Sequence, residues 1–352
     1  MDGKATAHLE FVDSHARSPS HFPLLKVIDK PDLLGVPYAQ QFRTKNGRYM
    51  RVPLHCIETL AEVKADKTHG RAQAASYAYR HQQARPDHPA FLCLSVKPQY
   101  YQIILSEPCG VVASVRFPWS ELGALFSFLH TIYVGSDNHI LHDSTVLWKS
   151  VAKNPAASIV TFNVSWSVEC GGELYTEGSM ICDFGDAWGR RTTVFSVTDP
   201  SGQHAIIKEY YWHHKRRFEE SNLLASVHAD GDVPGVVRMI CYEDVVVDGR
   251  RIECGVEGDT LRIKKRIVLY DYGYSLLTAR SVNELLRAFY DALEGTCSSQ
   301  MVSTEAYNPR SASYLAEERD HAPRHEHQQH FDSPGLAGPA WETRDEGPST
   351  AD

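Results

Sequence analysis

Apolar positions along the chain fall into two runs of pattern separated by a polar connector. In the first run, "RYMRVPLHCIETLAEVK" is rich in β-branched residues and predicts strand, and "GRAQAASYAYRHQQAR" predicts a helix. Short strands follow in "AFLCLSV", "YYQIILSE" and "GVVASVRF", and "WSELGALFSFLHTIY" closes the run as an amphipathic helix. "KNPAAS" (Lys153–Ser158) breaks the periodicity and reads as a linker. Beyond it come three strands, the last in "HAIIKEYYW", then a helix in "KRRFEESNLLASVH". Strands in "VVRMICYEDVVVD" and "LRIKKRIVLYDYG" precede a final helix in "SVNELLRAFYDALEG". The pattern predicts an α+β protein with folded regions over 21–150 and 159–295.

The two ends lack such periodicity. Residues 1–20 are polar and His-rich and predict a flexible lead. Residues 296–352 are rich in Pro, Ser, Glu and His; a segment of that composition buries too little apolar surface to offset the entropy of ordering, which predicts a disordered tail. His321, His325, His327 and His330 belong to that tail and read as solvated rather than as a metal site.

Composition narrows the class. A 42% apolar fraction supports a core, and a formal charge of −8 argues against a generally basic surface for nucleic acid. Eight cysteines (56, 93, 109, 170, 182, 241, 254 and 297) form no C-x-x-C. They predict buried, reduced thiols in an intracellular protein, not disulfides or zinc ligands. With no apolar leader and no run of membrane-spanning length, the expected location is cytoplasm or nucleus, with no membrane partner.

Two constellations carry candidate chemistry. In the first region, Pro31-Asp32 precedes "A-E-V-K", which holds Glu62 and Lys64, and Gln73 lies in the helix that follows. Residues two apart on a strand share a face, so Glu62 and Lys64 point the same way. Asp32 and Glu62 could then hold Mg²⁺ while Lys64 orients a water. This P-D…E-x-K arrangement resembles the core of metal-dependent, restriction-endonuclease-like nucleases. The resemblance implies either a nuclease site or a nuclease-like α/β scaffold. Arg71, Arg80 and Arg85 on the same helix suit a phosphate-facing surface or a solvated one.

In the second region, Lys208 ends "A-I-I-K" on a strand, and Glu220 begins an apolar helix stripe of Leu223, Leu224 and Val227. A strand lysine reaches nucleotide phosphates when a helix carboxylate orients it. Glu219 is the fallback partner, about 100° around the helix. Strands joined by "DPSG", behind a bend at Gly189, form a candidate phosphate lid. The tripeptide D-F-G at Asp183 precedes the lysine, whereas a kinase metal-binding signature follows the catalytic loop; Asp183 therefore reads as a residue on or beside the first strand.

This second constellation resembles the N-terminal lobe of the fungal-type protein kinase family. The shared features are the loop before the strand lysine, the "G-V" segment in "PGVVRM", the apolar hinge strand, and a helix like "NELLRAFYDALEG". The resemblance implies ATP with Mg²⁺ as ligand, contacted by Gly189, Lys208 and Glu220. Arg191 stands where the family usually has a second glycine, and would crowd a phosphate or offer it charge. No H-R-D loop follows "DALEG", and "EERDHAP" around Asp320 has no apolar frame to position it. The expectation is a truncated, pseudokinase-like chain without phosphoryl transfer, with a Mg²⁺-dependent nuclease or a non-catalytic interaction module as the alternatives. Its hinge side, near Leu269, Leu276 and Leu277, would be covered by a protein partner.

Overall fold

The computed structural model describes residues 9–14, 30–37, 52–65, 70–134, 141–152, 162–182, 187–233, 235–256, 260–270, 273 and 279–291. The first sheet starts inside the segment expected to be an unfolded lead. Leu9 and Val12 are buried on β1 (Leu9–Asp13), which pairs antiparallel with β2 (Leu33–Pro37). The expected lead at 1–20 is corrected there: burial of Leu9 and Val12 anchors an apolar island that its polar surroundings concealed.

A 3-10 turn at Leu54–Cys56 leads into β3 (Thr59–Val63), antiparallel to β2. Helix α1 (Gly70–Ala84) then crosses over to β4 (Phe91–Val96), which is parallel to β3. Ala74, Tyr77, Ala78 and His81, four of its seven buried positions, fall at the i, i+3, i+4, i+7 spacing of a one-sided helix. β5 (Tyr100–Glu107), β6 (Gly110–Ala113) and β7 (Phe117–Pro118) complete the sheet, with β6 and β7 both on β5. Helix α2 (Gly123–Val134) buries Phe128 with Ala61, Leu94 and Tyr101.

The second sheet takes in a strand from the far side of the expected linker. β8 (Val146–Ala152) pairs with β9 (Phe162–Cys170), so the first region, expected to reach residue 150, ends before Val146. β9, β10 (Glu173–Cys182), β11 (Thr193–Thr198) and β12 (His204–His213) form an antiparallel meander. At Gly178 a Cβ would lie 2.7 Å from the Trp166 carbonyl oxygen, so the bulged β9–β10 ladder requires glycine there.

Helix α3 (Glu220–Val227) follows, then β13 (Met239–Asp244) and the short ribbon of β14 (Val246–Val247) and β15 (Arg250–Arg251). β16 (Glu253–Cys254) and β17 (Arg262–Leu269) complete the sheet, and a helix (α4) spans 282–291. The strand order is β13-β17-β12-β11-β10-β9-β8, with β16 on β17. A meander, one helix and then two strands inserted beside the lysine strand is the N-lobe order that the kinase resemblance implies.

The two sheets share one core. Leu34, Val36, Leu60, Cys93 and Ile104 of the first join Trp166, Phe195, Ile207 and Val268 of the second in a single apolar cluster, with Ala74, Tyr77 and Ala78 of α1. Alternation gives β12 and β17 a back face toward this cluster (Ala205, Ile207, Val268) and a front face (Ile206, Tyr210, Ile267, Leu269) packed with Leu224 of α3. Leu269 is thus buried, contrary to its expected place in an exposed hinge patch; Leu276 and Leu277 lie outside the described residues, as do the expected tail and its histidines. Among the described residues no helix is long and apolar enough to cross a membrane.

Candidate functional site

On the front face, Lys208 comes from the middle of β12, and Glu220 from the first turn of α3. Lys208 Nζ donates to both carboxylate oxygens of Glu220, at 2.5 and 2.7 Å. The fallback residue, Glu219, is sorted elsewhere: its Oε1 lies 2.7 Å from Lys265 Nζ, which also reaches Asp244 at 2.6 Å. Of the expected helix stripe, Leu224 packs on the sheet, whereas Leu223 is exposed and does not.

Glu220 serves a second cation that sequence reasoning missed. Arg190 Nη2 lies 3.3 Å from Glu220 Oε2, and its guanidinium stands over the Tyr210 ring at 5.2 Å. Lys208, Glu220 and Arg190 are 24%, 31% and 39% exposed, so the triad is open to solvent with two positive charges on one negative. Tyr210 is buried beneath it, and its hydroxyl has no hydrogen-bond partner among the described residues. An anion with several oxygens suits this arrangement, since it could take the excess charge.

The loop expected to cradle phosphates does something else. It joins β10 to β11, ahead of the two strands that "DPSG" connects; residues 183–186, including Asp183, lie outside the described ones. Gly189 donates its amide to Pro108 O at 2.7 Å, so that donor is not free for a phosphate. Arg191 takes a φ of 42°, in the left-handed region that favours glycine. Its buried guanidinium turns away from the site. It donates to the carbonyls of Gln82, Arg85 and His88 at 2.6–3.1 Å, with a weaker contact to Pro89. The expectation that Arg191 would crowd or contact a phosphate is corrected: it pins the loop to the end of α1.

Behind β12 and β17 lies a closed network. Arg266 is fully buried and donates to Glu209 at 2.5 and 2.8 Å, to Thr145 at 3.1 Å, and to the Glu169 carbonyl. Asp143 Oδ2 accepts from Lys264 at 2.6 Å and from Arg266 at 3.3 Å. Burial pushes the Asp143 carboxyl up, but the two cations outweigh it and hold it below the usual range.

A second buried cluster surrounds Arg85, expected on a phosphate-facing or solvated surface. Its guanidinium donates to Asp87 at 2.8 Å, to His55 O at 2.6 Å and to Glu58 at 3.2 Å. Asp87, His88 and His142 present ligand atoms within 4.8 Å of one another, but Arg85 Nη2 sits 2.5 Å from His88 Nε2 and supplies the cation there. His55 is lowered to about 4 by burial and by Arg85, with Asp87 opposing.

The first region's candidates also converge. Asp32 Oδ2 accepts from the Val63 amide at 2.8 Å, and Lys64 Nζ lies 2.5 Å from Glu62 Oε1. The Glu62 side chain is fully buried, and burial raises its carboxyl, with Lys64 opposing and the nearby Asp32 carboxylate reinforcing. Gln73 is engaged with the Tyr77 hydroxyl at 2.6 Å.

The sequence profile of the family described as "Fungal protein kinase" matches residues 52–257, more than half of the chain. No curated protein and no solved structure matches it. The match begins beside the 3-10 turn in the first region and runs past Lys208, Glu220 and β16, so the profile takes in strands of both sheets. The chain belongs to the fungal protein kinase family.

Proposed function

We propose that this polypeptide binds a nucleotide polyphosphate weakly on the front face of the second sheet and does not transfer its phosphoryl group. The observation that carries the reading is the Lys208–Glu220 pair with Arg190 as a second cation. Lys208 would hold the polyphosphate oxygens, Glu220 would orient Lys208, and Arg190 would swing from Glu220 to the ligand. Magnesium would arrive with the nucleotide and screen its charge. The 352 residues contain no H-R-D, the element that supplies the base for a substrate hydroxyl. A protein partner over the hinge side is part of the proposal, since Val282, Leu286, Phe289 and Tyr290 of α4 are exposed.

Calorimetry of the 352-residue chain with Mg-ATP tests this. Binding is expected to weaken about tenfold in Lys208→Met, equivalent to about 1.4 kcal/mol, and less in Arg190→Ala. Unchanged affinity in Lys208→Met would place the site elsewhere, and phosphate transfer that Lys208→Met abolishes would overturn the claim of inactivity.

A second reading rests on Glu62. Its buried carboxylate beside Asp32 and Lys64 supports a Mg²⁺-dependent nuclease site on the first sheet. Plasmid cleavage in Mg²⁺ should vanish in Glu62→Ala and Lys64→Ala; cleavage that survives both changes excludes these residues.

A further inference from the structure

Two thiols meet across the second sheet. Cys170 ends β9 and Cys241 lies in β13, strands well separated in the sheet order, yet their sulfurs are 3.7 Å apart. The sheet curls so that the β9–β10 turn touches β13. The Gly171 amide donates to Glu243 Oε2 at 2.9 Å, and a Cβ at Gly171 would lie 3.3 Å from Cys241 Sγ. Both residues next to Cys170 are held: Arg266 grips the Glu169 carbonyl, and Gly171 is tied to β13.

The two sulfurs differ in environment. Cys170 is buried and Cys241 partly exposed, so a small oxidant meets Cys241 first. The two sulfurs lie within hydrogen-bond reach, and this contact lowers the Cys241 thiol below its usual value against the opposing effect of burial. A low, accessible thiol beside a protected one is the usual division between an attacking and a resolving cysteine.

We propose that Cys170 and Cys241 are a redox modification site that closes to a reversible disulfide under hydrogen peroxide. The Cys241 thiolate attacks one oxygen of the peroxide; the O–O bond breaks, hydroxide leaves and takes up a proton as water, and Cys241 becomes a sulfenic acid. The Cys170 sulfur then attacks the Cys241 sulfur. An S–S bond forms, the S–O bond breaks, and the Cys170 proton leaves with the oxygen as a second water. Two thiols are oxidised by two electrons, and one peroxide is reduced to two waters. A dithiol reductant reverses the change.

The disulfide would clasp two distant strands of the curled sheet and enclose the chain between them, including β10–β12 and α3. Cross-linking a long loop restricts the unfolded chain more than the folded one. The clasp also fixes β13, whose Met239 packs with Leu224 of the helix that carries Glu220.

The test uses the full chain with stoichiometric hydrogen peroxide, then alkylation and non-reducing peptide mapping. The expected product joins the peptides of Cys170 and Cys241 with loss of two hydrogens. It should raise the melting temperature by roughly 5 °C or more, and dithiothreitol should reverse both changes. Cys241→Ser should melt near the reduced protein and show no peroxide-induced rise. Sulfinic acid at Cys241 without a linked peptide would overturn the proposal, as would a Cys109–Cys254 link formed in its place. Because the mapping is read in the unaltered chain, it decides the matter even if a serine variant folds poorly.

Discussion

The same two strands, β12 and β17, carry two cation–carboxylate clusters on opposite faces, and the two are built for different ends. At the back, the buried Arg266 and Lys264 face the buried Glu209 and Asp143, two charges against two, and Arg266 also reaches the partly exposed Glu243 at 3.1 Å. At the front, Lys208 and Arg190 share one carboxylate in contact with water. A buried cluster must be balanced, because an uncompensated charge away from water is costly. An open cluster can keep an excess charge, because water screens it and a ligand can replace the water. Exposure therefore separates scaffold from candidate site where residue type does not.

The largest test of this contrast breaks the balance at the back. Arg266→Met leaves Glu209 and Asp143 with Lys264 as their nearest remaining cation, and should cost about 3–5 kcal/mol in urea unfolding. A loss below about 1 kcal/mol would mean the cluster is wetter than its burial indicates. Next comes the joint between the sheets. Arg191→Gly relieves a left-handed backbone but removes the buried donor from the Gln82 and His88 carbonyls and leaves the Arg85 carbonyl with the His88 amide, for a net loss of roughly 2–4 kcal/mol. A neutral Arg191→Gly would show that water reaches those carbonyls and that the joint is loose.

Acid should act on the closed side first. His55 has its folded value lowered from 6.5 to about 4, so the unfolded chain takes up the proton more readily between those limits. The stability it contributes is complete above pH 6.5 and drains away as pH falls toward 4. At pH 5 the loss from His55 alone is roughly 2 kcal/mol. His81 and His88, both lowered chiefly by burial, add in the same direction. Urea midpoints at pH 7.5, 6 and 5 measure the slope, and His55→Gln should flatten part of it. A midpoint unchanged from pH 7.5 to 5 contradicts the buried, neutral histidine. The smallest effect is at the front: Lys208→Met should change stability by at most about 1 kcal/mol, because its ion pair is partly solvated. A loss equal to that of Arg266→Met would erase the distinction between the two faces.

Much of this fold could be read from periodicity. The i, i+3, i+4, i+7 stripe of α1, the short strand runs and the Lys208–Glu220 pairing all follow from local pattern and from a family resemblance. β1 escaped because five residues with two buried apolar side chains are too short to stand out from a polar lead. β8 escaped because its partner lies across a linker, and linkers suggest boundaries rather than ladders. Arg190 and Arg191 are neighbours of one type, yet one stands over Tyr210 and the other is buried against α1. Nothing local distinguishes them; the left-handed turn at Arg191 does. Glu219 and Glu220 divide between Lys265 and Lys208 for a similar reason, being about 100° apart on the helix.

The sequence alone determined most of the order of strands and helices, the family, and the lysine and glutamate of the front face, because these depend on spacing along the chain. The tertiary structure decided which charges are balanced and which are left over, which loop amides are already engaged, and which sulfurs meet. Those outcomes depend on long-range packing of one sheet's back against the other, where burial sets the cost of each charge and distance sets its partner.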